Sequence, residues 1–254
     1  MKRYDAIRHV GDEILKDGLV EALFLKGSIA RGVDDEYSDV DMYAVVSDEN
    51  RDKFLAKRIQ YLEKYMPLIY WSESNFVGPQ IVGVFENGLH FDLYMVMADG
   101  IPQTDDIKII YDKNGLLEAY RSKPLALFPK EISEYINEFS FVLLEFETAY
   151  LRKDTMWAIR LFHAELGITS LCTRFVYDKN SSKLGLKGLY KVIPEDFYRE
   201  FIDVLKNATP EGILIAMKKL LGLMDKVIEE LSDDIKDSAN MKFYEFMKKR
   251  IFEL

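Results

Sequence analysis

Residues 24–46 read FLKGSIARGVDDEYSDVDMYAVV, and residues 90–94 read HFDLY. Within these two stretches, Gly27-Ser28, Asp39, Asp41 and Asp92 are the residues whose types and spacing can do chemistry. A glycine at 27 permits a positive φ or a close backbone approach. Ser28 adds a hydroxyl, and the amides opening a following short helix can face an anion. Arg31 is near enough in sequence to assist, so the turn suits phosphate. Asp39 and Asp41 are two residues apart, and on a strand both would project from one face. At a separation of roughly 6 Å, two carboxylates repel by about 3 kcal/mol at an effective dielectric of 20. A bound cation relieves that repulsion, and oxygen ligands favour magnesium. Asp92 is flanked by Phe91 and Leu93, where an acid is costly unless it is paired or bound to metal. A structural turn would explain Gly27-Ser28 alone, and an edge strand facing water would explain Asp92 alone. The combination is more specific than any of its parts.

Other phosphate and metal motifs are excluded. No GxxxxGK[ST] loop is present, and the acidic spacing is wrong for an EF-hand. With 34 Lys+Arg against 43 Asp+Glu, the formal net charge is −9. That argues against a general nucleic-acid binder and suits a cationic small-molecule partner through long-range attraction, although ordinary solubility also explains it. The single cysteine, Cys172, lies in an apolar stretch and reads as a buried core thiol. The charged N-terminal segment lacks the apolar run of a signal peptide, and no stretch approaches a membrane span. The expected compartment is the cytoplasm, with no membrane partner.

The elements that must position these residues follow from periodicity. Helices are expected at 4–16, 28–31 and 51–65, and strands at 19–25, 39–46, 68–71, 80–85, 89–97 and 107–111. Asn87-Gly88 signals a hairpin between the fourth and fifth strands. After the Pro-flanked stretch at 124–129 the pattern is helical, with helices expected at 130–151, 153–177, 194–206, 210–231 and 236–252. Pro194 and Pro210 sit where helix starts tolerate proline. The fold class is α+β, with a mixed sheet flanked by helices in residues 1–124 and a helical bundle in 125–254.

The order Gly27-Ser28, Asp39-x-Asp41 and then Asp92 on a later strand resembles the DNA polymerase β-like nucleotidyltransferase superfamily. The string GSIARGVDDEYSDVDMYAVV with a helical C-terminal half is most similar to its small-molecule branch, which includes lincosamide and aminoglycoside nucleotidyltransferases. The motif resemblance covers residues 20–97. It implies transfer of a nucleoside monophosphate, AMP in the first instance, from a nucleoside triphosphate, with ATP the expected donor. The acceptor would be a hydroxyl of a small molecule such as an aminoglycoside or lincosamide antibiotic. It implies that Gly27 and Ser28 hold the triphosphate and that Asp39 and Asp41 ligate two magnesium ions. Asp92 would be the third carboxylate, binding metal or accepting the hydroxyl proton. A homodimer is compatible with the branch and is not required by it.

In the helical half, Lys153, Trp157 and Arg160 share a face at i, i+4 and i+7. They could meet phosphates or stack on a base, although a solvated charged face explains them equally well. Glu147 and Glu73 are candidates for recognising the acceptor, and both read equally as ordinary acids. Two alternatives remain open at this level: nucleotidylation of a protein, and a non-catalytic nucleotide-binding module.

Overall fold

A computed structural model describes residues 2–254, and the chain divides into two compact units, Met1–Lys123 and Pro124–Leu254. The first unit runs α1 (Lys2–Lys16), β1 (Val20–Lys26), α2 (Gly27–Arg31), β2 (Val40–Val46), α3 (Arg51–Glu63), β3 (Leu68–Asn75), β4 (Pro79–Phe85), β5 (His90–Val96) and β6 (Lys108–Asp112). Its six strands form one mixed sheet in the order β3-β4-β5-β2-β1-β6. The β2/β5 pair is parallel and the other neighbours are antiparallel.

Alternation along the strands gives the sheet two different faces. One face carries Leu23, Leu25, Met42, Ala44, Phe91 and Leu93, and packs beneath α1 and α3. Helix α1 delivers Ala6, Val10 and Ile14 to that core at a spacing of four, and α3 delivers Phe54, Tyr61 and Leu62. The opposite face carries Ala22, Phe24, Tyr43, Val45, Tyr94 and Val96 in a smaller cluster with Leu117. Phe24, Tyr43 and Tyr94 stack in a row there, with ring centroids 5.1 and 4.3 Å apart.

The second unit is helical: α4 (Pro129–Leu151), α5 (Thr155–Tyr177), α6 (Glu195–Lys206), α7 (Ile213–Glu229), α8 (Asp233–Ser238) and α9 (Met241–Glu253). Two starts fall two or three residues later than the periodicity suggests. Helix α5 begins at Thr155 because Asp154 is its N-cap, accepting a bond from the Trp157 amide at 3.2 Å. Helix α7 begins at Ile213 after a turn closed by Gly212 N–H to Thr209 O at 3.1 Å. The expected helix 236–252 is two helices. Ala239 is extended, and Asn240 caps α9 by accepting from the Phe243 amide at 3.1 Å. Among the described residues, no helix is long and apolar enough to cross a membrane.

Cys172 is fully buried, and burial pushes its thiol up to about 12, which leaves it unreactive at neutral pH. Glu165, about two helical turns earlier on α5, is also fully buried, and neither carboxylate oxygen has a hydrogen-bond partner. Burial, and secondarily the charge of Glu138, raises its carboxyl well above the ordinary 4.5. A carboxyl raised on folding costs stability as pH climbs from its unfolded value through its folded one. Glu165→Met is therefore expected to stabilise the chain by about 1–3 kcal/mol at pH 8 and by less at pH 4. Urea melts at the two pH values check this, and a loss of stability at pH 8 would contradict it.

Candidate active site

The turn that follows β1 is built around a residue with no side chain. Gly27 opens α2 with φ +69°, and a β-carbon at that position would overlap the carboxylate of Asp41. Glycine is thus required both for the backbone angle and for the room it leaves to Asp41. Ser28 follows, partly exposed, in the first turn of α2. Gly32, at φ +70°, ends this five-residue helix.

Asp41 lies in β2 and Asp92 in β5, and the parallel register sets them directly opposite each other. Adjacent strands lie about 4.8 Å apart, so the two carboxylates leave the same face side by side. They stand in line with Tyr43 and Tyr94, on the face that α1 and α3 leave uncovered. Asp39 stands one residue ahead of β2, in the loop and not in the strand. That loop is tied to α1: the buried Arg3 donates to Asp34 at 2.7 Å through Nε, and the Tyr4 hydroxyl bonds the same carboxylate at 3.0 Å. Within the loop, Asp35 accepts from the Tyr37 amide at 3.0 Å, an Asx-type closure that shapes the approach to Asp39.

His90 is the residue that sequence reasoning missed. It is two residues from Asp92 on one strand, so both side chains share a face. Its Nε2 donates to Asp92 Oδ1 at 3.0 Å, and its Nδ1 stands 3.7 Å from Asp39 Oδ2. The imidazole therefore bridges two carboxylates, and the bond to Asp92 raises its pKa above the ordinary 6.5 against the opposing effect of burial. Asp92 itself is only 8% exposed.

Lys26 was also unforeseen. Its side chain projects on the carboxylate face, opposite Asp41 in register, and is buried. The ammonium donates to the carbonyls of Pro102 and Thr104 at 2.9 and 2.5 Å and to the Tyr120 hydroxyl at 3.2 Å. Burial lowers its pKa from 10.5, opposed by the charges of Asp105, Asp41 and Asp106. Arg31, the candidate for phosphate, is ion-paired with Asp105, a residue held at φ +71°. Lys26 and Arg31 together lash the segment 102–105 beside the Gly27-Ser28 turn.

Among the described residues, no three His, Cys, Asp or Glu side chains form a ready-made metal cage. Asp92 is engaged by His90, which also approaches Asp39. The donor set still fits magnesium. Magnesium is commonly held by one or two carboxylates with water and substrate phosphate completing its shell. Asp41 and Asp92 in register, with Asp39 alongside, supply such oxygen ligands.

Two other candidates are ion-paired, and a third lies off the expected helix face. Glu73 lies opposite Ile81, on the helix-covered face and therefore away from Asp92, and its carboxylate pairs with Arg58 at 3.3 Å. Glu147 is 5% exposed and is clasped by Arg250 at 2.8–3.0 Å, joining α4 to α9. Lys153 precedes the cap of α5, so it is not on a helix face with Trp157 and Arg160, both of which are exposed on α5.

In the metal-free protein, the His90 ring protons are expected to titrate with a midpoint above 6.5, and Asp92→Asn is expected to lower it. Proton NMR across pH 5–9 reads both; a midpoint unmoved by the substitution would show that the Asp92 bond is not what holds the proton.

A family model described as "Nucleotidyltransferase domain" matches residues 7–97. A search of curated proteins returned no match. Among solved structures, the chain is similar to an aminoglycoside 6-adenyltransferase from Bacillus subtilis, with 14% identity, a TM-score of 0.39, and 99% of this chain and 96% of that one covered. It is also similar to spectinomycin adenyltransferase AAD(9) from Enterococcus faecialis, solved with ATP and spectinomycin. There the identity is 14%, the TM-score 0.34, and 98% of each chain is covered. The matched segment begins within α1, ends just after β5, and holds the Gly27-Ser28 turn and all three aspartates, so this part of the chain is similar to a nucleotidyltransferase domain.

Proposed function

We propose that the chain transfers a nucleoside monophosphate from ATP to a hydroxyl of a small, cationic acceptor in the cytoplasm, with aminoglycoside or lincosamide antibiotics the acceptor class. The observation that carries the reading is the register of Asp41 against Asp92, beside a glycine that cannot be replaced without displacing Asp41. The net charge of −9 supports a cationic acceptor over a polynucleotide.

In this reading Gly27 and Ser28 receive the triphosphate. Asp39 and Asp41, with Asp92, would hold magnesium, which when bound neutralises the triphosphate and favours the ionised acceptor hydroxyl. The acceptor oxygen forms its bond to the α-phosphorus in line with the breaking bond to the bridging oxygen, and pyrophosphate leaves. Asp92 takes the hydroxyl proton, and His90 orients that carboxylate. Most of the rate enhancement comes from positioning on a rigid strand pair. Tyr43 and Tyr94 of the same strand pair stack on each other and on Phe24, on the face that carries Asp41 and Asp92.

Asp41→Asn is expected to lower pyrophosphate release at least about a hundredfold without unfolding the chain. Gly27→Ala is expected to cost about 1–3 kcal/mol in stability and to lose transfer as well. The decisive assay supplies labelled ATP, magnesium and a panel of aminoglycosides and lincosamides, and follows the label by mass. A labelled small molecule supports the reading. Label on a polypeptide alone, or nucleotide binding without pyrophosphate release, would overturn it.

A further inference from the structure

The helical unit contains a cavity of about 310 Å³ that none of the three aspartates lines. Tyr150 and Leu151 at the end of α4, Ala158 on α5, and Pro210 and Ile213 at the start of α7 give it largely apolar walls. Lys153 and Thr155 complete the lining and bring a cation and a hydroxyl. Its volume is at the lower end of the range for small-molecule sites, which pair apolar walls with a few polar groups.

Lys153 occupies a backbone position that sequences normally give to glycine. Helix α4 ends in a Schellman motif: the Lys153 amide bonds Tyr150 O at 2.9 Å and the Asp154 amide bonds Ala149 O at 2.9 Å. The residue between these bonds, Lys153, is left-handed at φ +59°. A lysine there carries a conformational cost that glycine avoids, and its side chain offsets none of that cost through an ion pair among the described residues. The nearest acid in sequence, Asp154, turns back to cap α5. Lys153 is thus an exposed, left-handed residue at the rim of a largely apolar cavity, with no ion pair among the described residues, at a position where glycine would serve the backbone better.

We propose that this cavity binds an organic anion with an apolar or aromatic body, its anionic group held by Lys153. A polycationic acceptor would be repelled there, so the ligand differs in charge from the acceptor proposed above. Two sources share this chemistry: the nucleotide itself and a separate aromatic or aliphatic acid.

The test uses two fluorescent probes of nearly identical body, 1-anilinonaphthalene-8-sulfonate and the uncharged N-phenyl-1-naphthylamine. The full chain is expected to bind the sulfonate at one saturable site about tenfold more tightly than the neutral probe. Lys153→Arg keeps that preference. Lys153→Gly abolishes it while melting about 2 °C higher, because the left-handed position is relieved. A stable glycine variant separates lost binding from lost folding. Competition then assigns the source: displacement of the sulfonate by ATP identifies the nucleotide, and its persistence under ATP identifies a separate acid. Equal affinity of the wild-type chain for both probes, or an unchanged preference in Lys153→Gly, would overturn the proposal.

Discussion

Parallel pairing of β2 with β5 places Asp41 beside Asp92, and the proposed site depends on that juxtaposition. Two carboxylates on neighbouring strands, roughly 5 Å apart, repel by about 3 kcal/mol at an effective dielectric of 20. The fold sustains them with charges of its own. His90 bonds Asp92 and approaches Asp39, and the Lys26 ammonium feels the field of Asp41 from β1. A divalent cation entering such a site would meet ligands already aligned, with the imidazole as its principal competitor for Asp92.

The turn before α2 solves a second problem with the same economy. Asp41 needs space where β1 gives way to the turn, and only a residue without a β-carbon provides it. The same glycine reverses the chain so that Ser28 follows at once. Around it, Lys26 and Arg31 both contact the distant segment 102–105, so that Arg31, the cation expected to meet phosphate, is paired with Asp105. The stacked tyrosines behind the carboxylates are buried, and burial raises both hydroxyls well above the ordinary 10. They act as a floor and not as acids.

Much of this was legible in the chain because it is local. The helix α1 spacing of Ala6, Val10 and Ile14, the Asn87-Gly88 hairpin and the Gly27-Ser28 turn all express short-range preferences. So did the clustering of catalytic candidates within residues 27–92. What escaped depends on partners far apart in sequence. Arg31 could not be seen to be taken by Asp105, nor Glu147 by Arg250, because 74 and 103 residues separate the pairs. The face on which Glu73 lies follows from a strand register that periodicity alone leaves open. His90 was within reach: a histidine two residues from a candidate acid on a strand must share its face. The break at Ala239-Asn240 was also local, since asparagine is a strong helix cap.

The central claim concerns where three acids meet, and anomalous scattering tests it most directly. Crystals of the chain grown with manganese and a non-hydrolysable ATP analogue would be measured at the manganese absorption edge. The account predicts a peak bonded to Asp41 and to at least one of Asp39 and Asp92, with the phosphates reaching it from the Gly27-Ser28 side. A well-ordered analogue whose manganese makes no bond to Asp41 would contradict it.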